Sequence, residues 1–189
     1  SQKIGELLDV SEGMRVVDVC AGAGGKTLHL AALMKNKGQI IALDIYEWKL
    51  AELKRRAKRA GAHNIETRHI DDNKVIKRLH EKADRLLIDS PCSGLGVLKR
   101  NPDSKWKIDQ EFIDRIRKEQ EKILQDYAKI LKKGGKMVYA TCSILPSENN
   151  EQVATFLKNN EGYTLIKEEK VMPSSGFDGF YMALIERKA

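Results

Sequence analysis

Short apolar runs alternate with amphipathic stretches along most of this chain, and that alternation restricts the fold more than any other feature. Arg15-Val16-Val17-Asp18-Val19, Gln39-Ile40-Ile41-Ala42-Leu43-Asp44, Arg85-Leu86-Leu87-Ile88-Asp89 and Met137-Val138-Tyr139-Ala140-Thr141 carry apolar residues at successive positions. Runs of this kind are buried on two faces, as parallel strands are. Ile65 to Ile70 reads as a weaker strand. Between them, the spacing predicts helices over 27–34, 47–60, 111–131 and 147–158. In the second of these, Leu50, Leu53, Ala57 and Ala60 share one face, while Lys54, Arg55, Arg56, Lys58 and Arg59 read as its solvated side. Lys132-Lys133-Gly134-Gly135 is expected to close the long helix with glycine in the C-cap region. Segments 163–166 and 179–186 read as a closing antiparallel pair joined without a helix. The expected fold is an α/β sheet with helices on both faces, in one domain over residues 1–189.

Three of the apolar runs end in turns rich in chemistry: Cys20-Ala21-Gly22-Ala23-Gly24-Gly25-Lys26-Thr27, Ser90-Pro91-Cys92-Ser93-Gly94 and Cys142-Ser143. Parallel strands deliver their carboxyl ends to one edge, where ligands bind, so a glycine cradle and two thiols should share a crevice. The cradle is not a phosphate loop, because Cys20 stands where that motif requires its first glycine. Nor is it the dinucleotide pattern, which meets Thr27 at its third glycine. Asp44, ending the second run, suits hydrogen bonds from ribose hydroxyls and thus a nucleoside ligand; its alternative role is capping the helix that starts near Glu47.

The formal net charge is +7, which favours a polyanionic partner without identifying it. Three widely spaced cysteines without a Cys-x-x-Cys pair argue against a disulfide framework or structural zinc and for a reducing, cytoplasmic setting. The four histidines show no metal-ligand spacing, no signal peptide is recognisable, and no apolar stretch is long enough to span a membrane.

Asp18-x-Cys20-Ala21-x-x-Gly24-Gly25-Lys26-Thr27, Asp89-x-Pro91-Cys92-Ser93-Gly94, Arg100-x-Pro102-Asp103-x-x-Trp106, Tyr139-x-Thr141-Cys142-Ser143 and Asp178-Gly179-Phe180-Tyr181 occur in that order. In this combination the chain resembles the S-adenosylmethionine-dependent RNA (cytosine-5) methyltransferases, especially their bacterial ribosomal RNA small-subunit branch. The resemblance implies a class I methyltransferase (Rossmann-like) fold: a seven-stranded, mostly parallel sheet with a terminal antiparallel pair. It implies S-adenosylmethionine as cofactor, held by Cys20, Ala21, Gly22, Ala23, Gly24, Gly25, Lys26, Asp44, Asp71 and Asp89, with Asp72 the register alternative to Asp71. Cys142 is implied as nucleophile and Cys92 as the group assisting release, with Lys26 near the target base and Asp89 oriented toward the cytosine ring. Cys92 is the rival nucleophile, because DNA cytosine-5 methyltransferases use the Pro-Cys turn. Arg100 and Trp106 are candidates for RNA contact, with a packing role as the alternative for Trp106. Ala23 replaces a proline common in the family, which leaves the turn freer.

The chemistry agrees with the residues. Carbon 5 of cytosine is a poor nucleophile, and addition of a thiolate at carbon 6 makes it an enamine-like one. A thiolate is easier to populate beside a cation, a role open to Lys26. The expected function is therefore methylation of ribosomal RNA by a monomer with no membrane association. Transfer RNA or DNA as substrate, and a non-catalytic RNA-binding module, are the alternatives. The chain opens on Ser1 and is expected to be a piece lacking an upstream RNA-binding region.

Overall fold

The computed structural model describes residues 2–189. Its elements run α1 (Gln2–Leu7), β1 (Arg15–Asp18), α2 (Gly25–Leu33), β2 (Gln39–Asp44), α3 (Glu47–Arg59), β3 (Ile65–His69) and α4 (Asn73–Lys77). They continue with β4 (Ala83–Asp89), α5 (Gln110–Tyr127), β5 (Leu131–Thr141), α6 (Asn150–Asn159), β6 (Tyr163–Val171) and β7 (Phe180–Arg187). The seven strands form one sheet in the order β3-β2-β1-β4-β5-β7-β6. Neighbours from β3 to β5 are parallel, whereas β7 is antiparallel to both β5 and β6. The expected mostly parallel sheet with a terminal antiparallel pair is thus present.

The apolar runs are explained by the two cores they separate. Val17, Ile41, Leu86, Ile88, Met137 and Tyr139 face Leu124 of α5 and Val153 and Phe156 of α6. Their sequence neighbours Val16, Ile40, Leu87 and Val138 face Ile4 of α1 and Leu30 of α2 on the other side. Leu50, Leu53 and Ala57 of α3 pack on Ala42, the face the periodicity assigned to them.

The structure corrects several expectations. The long helix ends at Tyr127, and Lys132–Gly135 lies inside β5 rather than in a helix cap. Leu131 is fully buried as a strand partner of Ala83. The register then slips so that Arg85 meets Lys136, and Gly134, at φ 72°, absorbs the extra residues. The helix expected from 147 starts at Asn150, after a 3₁₀ turn over Pro146–Glu148. β6 runs on to Val171 as the edge strand of the sheet, with Lys167, Glu168 and Lys170 exposed. Arg56 is not simply solvated, since its Nη1 donates to the Ala23 carbonyl at 2.7 Å.

Candidate active site

β1 delivers Asp18 to the sheet's carboxyl edge, and the chain turns sharply into α2. Gly24 makes that turn at φ 84°, and a Cβ there would lie 2.5 Å from Leu53 Cγ, so only glycine fits. Three ties hold the turn. Ala21 N donates to the Leu43 carbonyl, Gly22 N to Asp44 Oδ2 at 2.8 Å, and Arg56 to the Ala23 carbonyl. The turn expected to be freer for want of a proline is therefore fixed from β2 and α3. The Gly22 amide, which a phosphate loop would offer to an anion, is taken by a carboxylate, which disfavours phosphate at that point and suits hydroxyl donors.

Asp44 is buried at the end of β2. Its Oδ1 accepts from Tyr46 N at 2.8 Å, and α3 has no side-chain cap, so Asp44 shapes the β2–α3 turn without capping the helix. Past β3, Asp72 accepts from Lys74 N and caps α4, while the exposed Asp71 carboxylate only accepts from Asp72 N. Of the two register alternatives, Asp71 is the one left available to a ligand. Asp18 lies beneath the cradle, where Thr27 Oγ1 donates to its Oδ2 at 2.7 Å and its Oδ1 is buried without a partner. Burial pushes this carboxyl up to about 7. Burial likewise pushes the Cys20 thiol well above its ordinary value, which disfavours the thiolate there.

The second half of the crevice is thiol-rich. Cys92, past β4, and Cys142, past β5, stand with their Sγ atoms 3.2 Å apart, both half-buried. Lys26 Nζ pairs with Asp89 between the cradle and the thiols. Hydrogen bonding from Cys92 draws the Cys142 thiol below its ordinary value, with burial and Asp89 opposing and Lys26 assisting. The same contact, together with burial, raises Cys92.

Beyond the Pro-Cys turn, Trp106 is 80% exposed, which removes the packing alternative for it. Arg100 pairs with Asp178 at 2.7 Å, and Gly96 meets Gly179 backbone to backbone: Gly96 N donates to the Cys142 carbonyl and Gly179 N to the Gly96 carbonyl. The closing Asp-Gly-Phe-Tyr motif is thereby tied to the Cys142 turn.

The buried polar residues that went unforeseen include Gln120, Glu148 and Asn149. Glu148 accepts from Ser93 and Ser143, and Asn149 Nδ2 donates to the Ser143 carbonyl at 3.0 Å. No local signal marks them: Glu148 and Asn149 stand beyond Ile144–Ser147, past the Thr-Cys-Ser turn, and read as an ordinary helix start.

Residues 6–185 match the family model described as 16S rRNA methyltransferase RsmB/F. The ribosomal RNA small subunit methyltransferase B of Proteus mirabilis is 38% identical over 192 residues, covering 100% of this chain and 44% of that protein. The probable ribosomal RNA small subunit methyltransferase B of Bacillus subtilis is 34% identical over 207 residues, covering 100% and 46%. NSun6 from Pyrococcus horikoshii, solved with SFG, superimposes with a TM-score of 0.90 at 28% identity, covering 100% of this chain and 51% of that one. The chain spans about half the length of the curated relatives it matches.

Proposed function

The chain belongs to the RsmB/F family of 16S rRNA methyltransferases, and from that premise we propose that it methylates carbon 5 of a cytosine in ribosomal RNA, using S-adenosylmethionine. The observation that carries this reading is the pairing of two thiols 3.2 Å apart at the sheet edge that also holds the glycine cradle. The relatives' names add ribosomal RNA as the substrate class, and the net charge of +7 favours a polyanion. The reading places the enzyme in the cytoplasm, where free thiols persist.

The cradle residues fit the cofactor. The turn is pre-tied, its Gly22 amide is already matched to a carboxylate, and Asp44 keeps lone pairs for ribose hydroxyls. Cys20 to Lys26, Asp44, Asp71 and Asp89 would hold the cofactor, which when bound supplies an electrophilic sulfonium methyl. The chain's own residues do the rest. Cys142, the more acidic thiol, adds to carbon 6 of the ring and shifts electron density to carbon 5. Asp89 accepts from the exocyclic amine and favours protonation of the ring nitrogen beside it, held in place by Lys26. After methylation, transfer of the carbon 5 proton to a solvent water re-forms the ring double bond and expels the Cys142 sulfur as a thiolate. Cys92 is placed to return its proton to that sulfur.

The test separates the thiols. Cys142→Ser should abolish methylation, because a serine hydroxyl lacks the acidity and nucleophilicity of the thiol. Cys92→Ala should still add and methylate but stall release, so an RNA–protein adduct survives denaturing electrophoresis. The reverse pattern would hand the nucleophile's role to Cys92, and no incorporation of labelled methyl into any RNA would sink the reading.

A further inference from the structure

We propose that Glu148 is a positioning residue that clamps the two thiol turns face to face and, as a buried carboxylate without a cationic partner, sets which thiol holds a proton. This rests on the reading of Cys142 and Cys92 above. Glu148 is 0% exposed, in the 3₁₀ turn ahead of α6. Its Oε1 accepts from Ser93 N at 2.8 Å, and its Oε2 accepts from Ser93 Oγ at 2.5 Å and from Ser143 Oγ. Gln120 of α5 donates to Oε1 at 3.3 Å with the same amide nitrogen that binds the Pro91 carbonyl at 2.9 Å.

Every one of those donors belongs to, or is bonded to, a turn carrying a thiol. Ser93 follows Cys92 and Ser143 follows Cys142. A single carboxylate thus spans both turns, and the two hydroxyls also lie 3.2 Å from each other. The Glu148 carbonyl accepts from the Tyr139 hydroxyl at 2.8 Å, which anchors the clamp to β5. No ion pair among the described residues involves Glu148, so hydrogen-bond donors alone hold its charge.

That charge breaks a symmetry. The sulfur–sulfur contact could have either atom as donor. The two sulfurs touch each other, but the nearby charge acting on Cys92 is that of Glu148, whereas Cys142 feels Asp89 and Lys26. At Cys92 the hydrogen bond to Cys142 and burial disfavour the thiolate, and the Glu148 charge adds to them. At Cys142 the hydrogen bond from Cys92 favours the thiolate, and Lys26 works against burial and Asp89. Cys92 becomes the donor and Cys142 the acceptor, the assignment the proposed reaction needs.

The experiment measures iodoacetamide alkylation of each cysteine against pH, resolved by mass spectrometry, in the parent chain and in Glu148→Gln. The parent should alkylate Cys142 at lower pH than Cys92. In Glu148→Gln the Cys92 midpoint should fall by about one pH unit, about a tenfold faster reaction at fixed pH below it. Unchanged midpoints in a folded Glu148→Gln variant would overturn the proposal, because a purely structural carboxylate would not move them. If Glu148→Gln does not fold, the question passes to Ser143→Ala, which frees only one arm. There, oxidation by diamide of the two thiols to a Cys92–Cys142 disulfide should slow about tenfold as effective concentration drops; an unchanged rate would count against the clamp. Neither assay uses RNA or cofactor, so its failure leaves the methyl-transfer reading standing, and an inactive enzyme leaves this test readable.

Discussion

Substituting Gly96 by alanine should damage the proposed chemistry from outside the cofactor cradle. A Cβ at this position would lie 2.2 Å from the Gly179 carbonyl oxygen and 2.7 Å from that of Cys142. Both obstacles are backbone, so no side chain can swing aside, and ordinary contact would require the strands of loop to part by about 1 Å. Two hydrogen bonds are at stake, Gly96 N to the Cys142 carbonyl at 2.9 Å and Gly179 N to the Gly96 carbonyl at 2.7 Å. Overpacking of about 1–3 kcal/mol and about 1 kcal/mol for each weakened bond together predict destabilisation of about 3–5 kcal/mol. At this chain length the melting temperature should drop by about 10 °C. Because the displaced atoms include the Cys142 backbone, single-turnover methyl transfer should fall by about 100-fold, the usual penalty for a misplacement of about 1 Å. Affinity for S-adenosylmethionine, measured by calorimetry, should be preserved, since Gly96 touches neither the cradle nor Asp44. Gly162→Ala is the control: nothing lies within 4 Å of a Cβ there. A Gly96→Ala protein that melts and turns over like Gly162→Ala would refute the backbone apposition and the reasoning built on it.

Asp44→Asn should present amide hydrogens to one of the two backbone N–H groups that Asp44 now accepts. A loss of about 1–3 kcal/mol and at least about tenfold weaker S-adenosylhomocysteine binding are expected by calorimetry; unchanged affinity would remove Asp44 from the cofactor site. Asp18 titrates at about 7 when folded, against 3.8 for the ordinary side chain. Its folded form holds the proton more tightly, so its stabilising share is complete below the unfolded value and is lost as pH climbs through the folded one. The melting-temperature advantage of wild type over Asp18→Asn should therefore shrink from about pH 5 to about pH 8, and a pH-independent gap would refute this.

What could be read in the sequence was whatever local spacing dictates. β1, β2, β4 and the second half of β5 are apolar at consecutive positions because both faces of the sheet are covered. The cysteine turns were legible because strand ends converge whatever the loops do. The Lys132–Gly135 error arose where local and tertiary signals compete. Two lysines and two glycines look like a helix end, but Leu131 is recruited into the sheet by Ala83, far away in sequence. Glu148 was illegible for a related reason. Its donors come from Ser93, Gln120 and Ser143 on three separate segments, and nothing near 148 marks a carboxylate destined for burial.

β5 is hydrogen-bonded on both sides, to β4 in parallel and to β7 in antiparallel register up to Thr141, while β3 and β6 are the sheet's open margins. Amides on the margins can exchange with deuterated solvent through local opening, but those of β5 must wait for the whole domain to come apart. Cys142 follows the last residue of that strand. Its placement is therefore tied to global rather than local stability: heating or mild denaturant should reduce the number of competent molecules well before it blurs the geometry of those that remain.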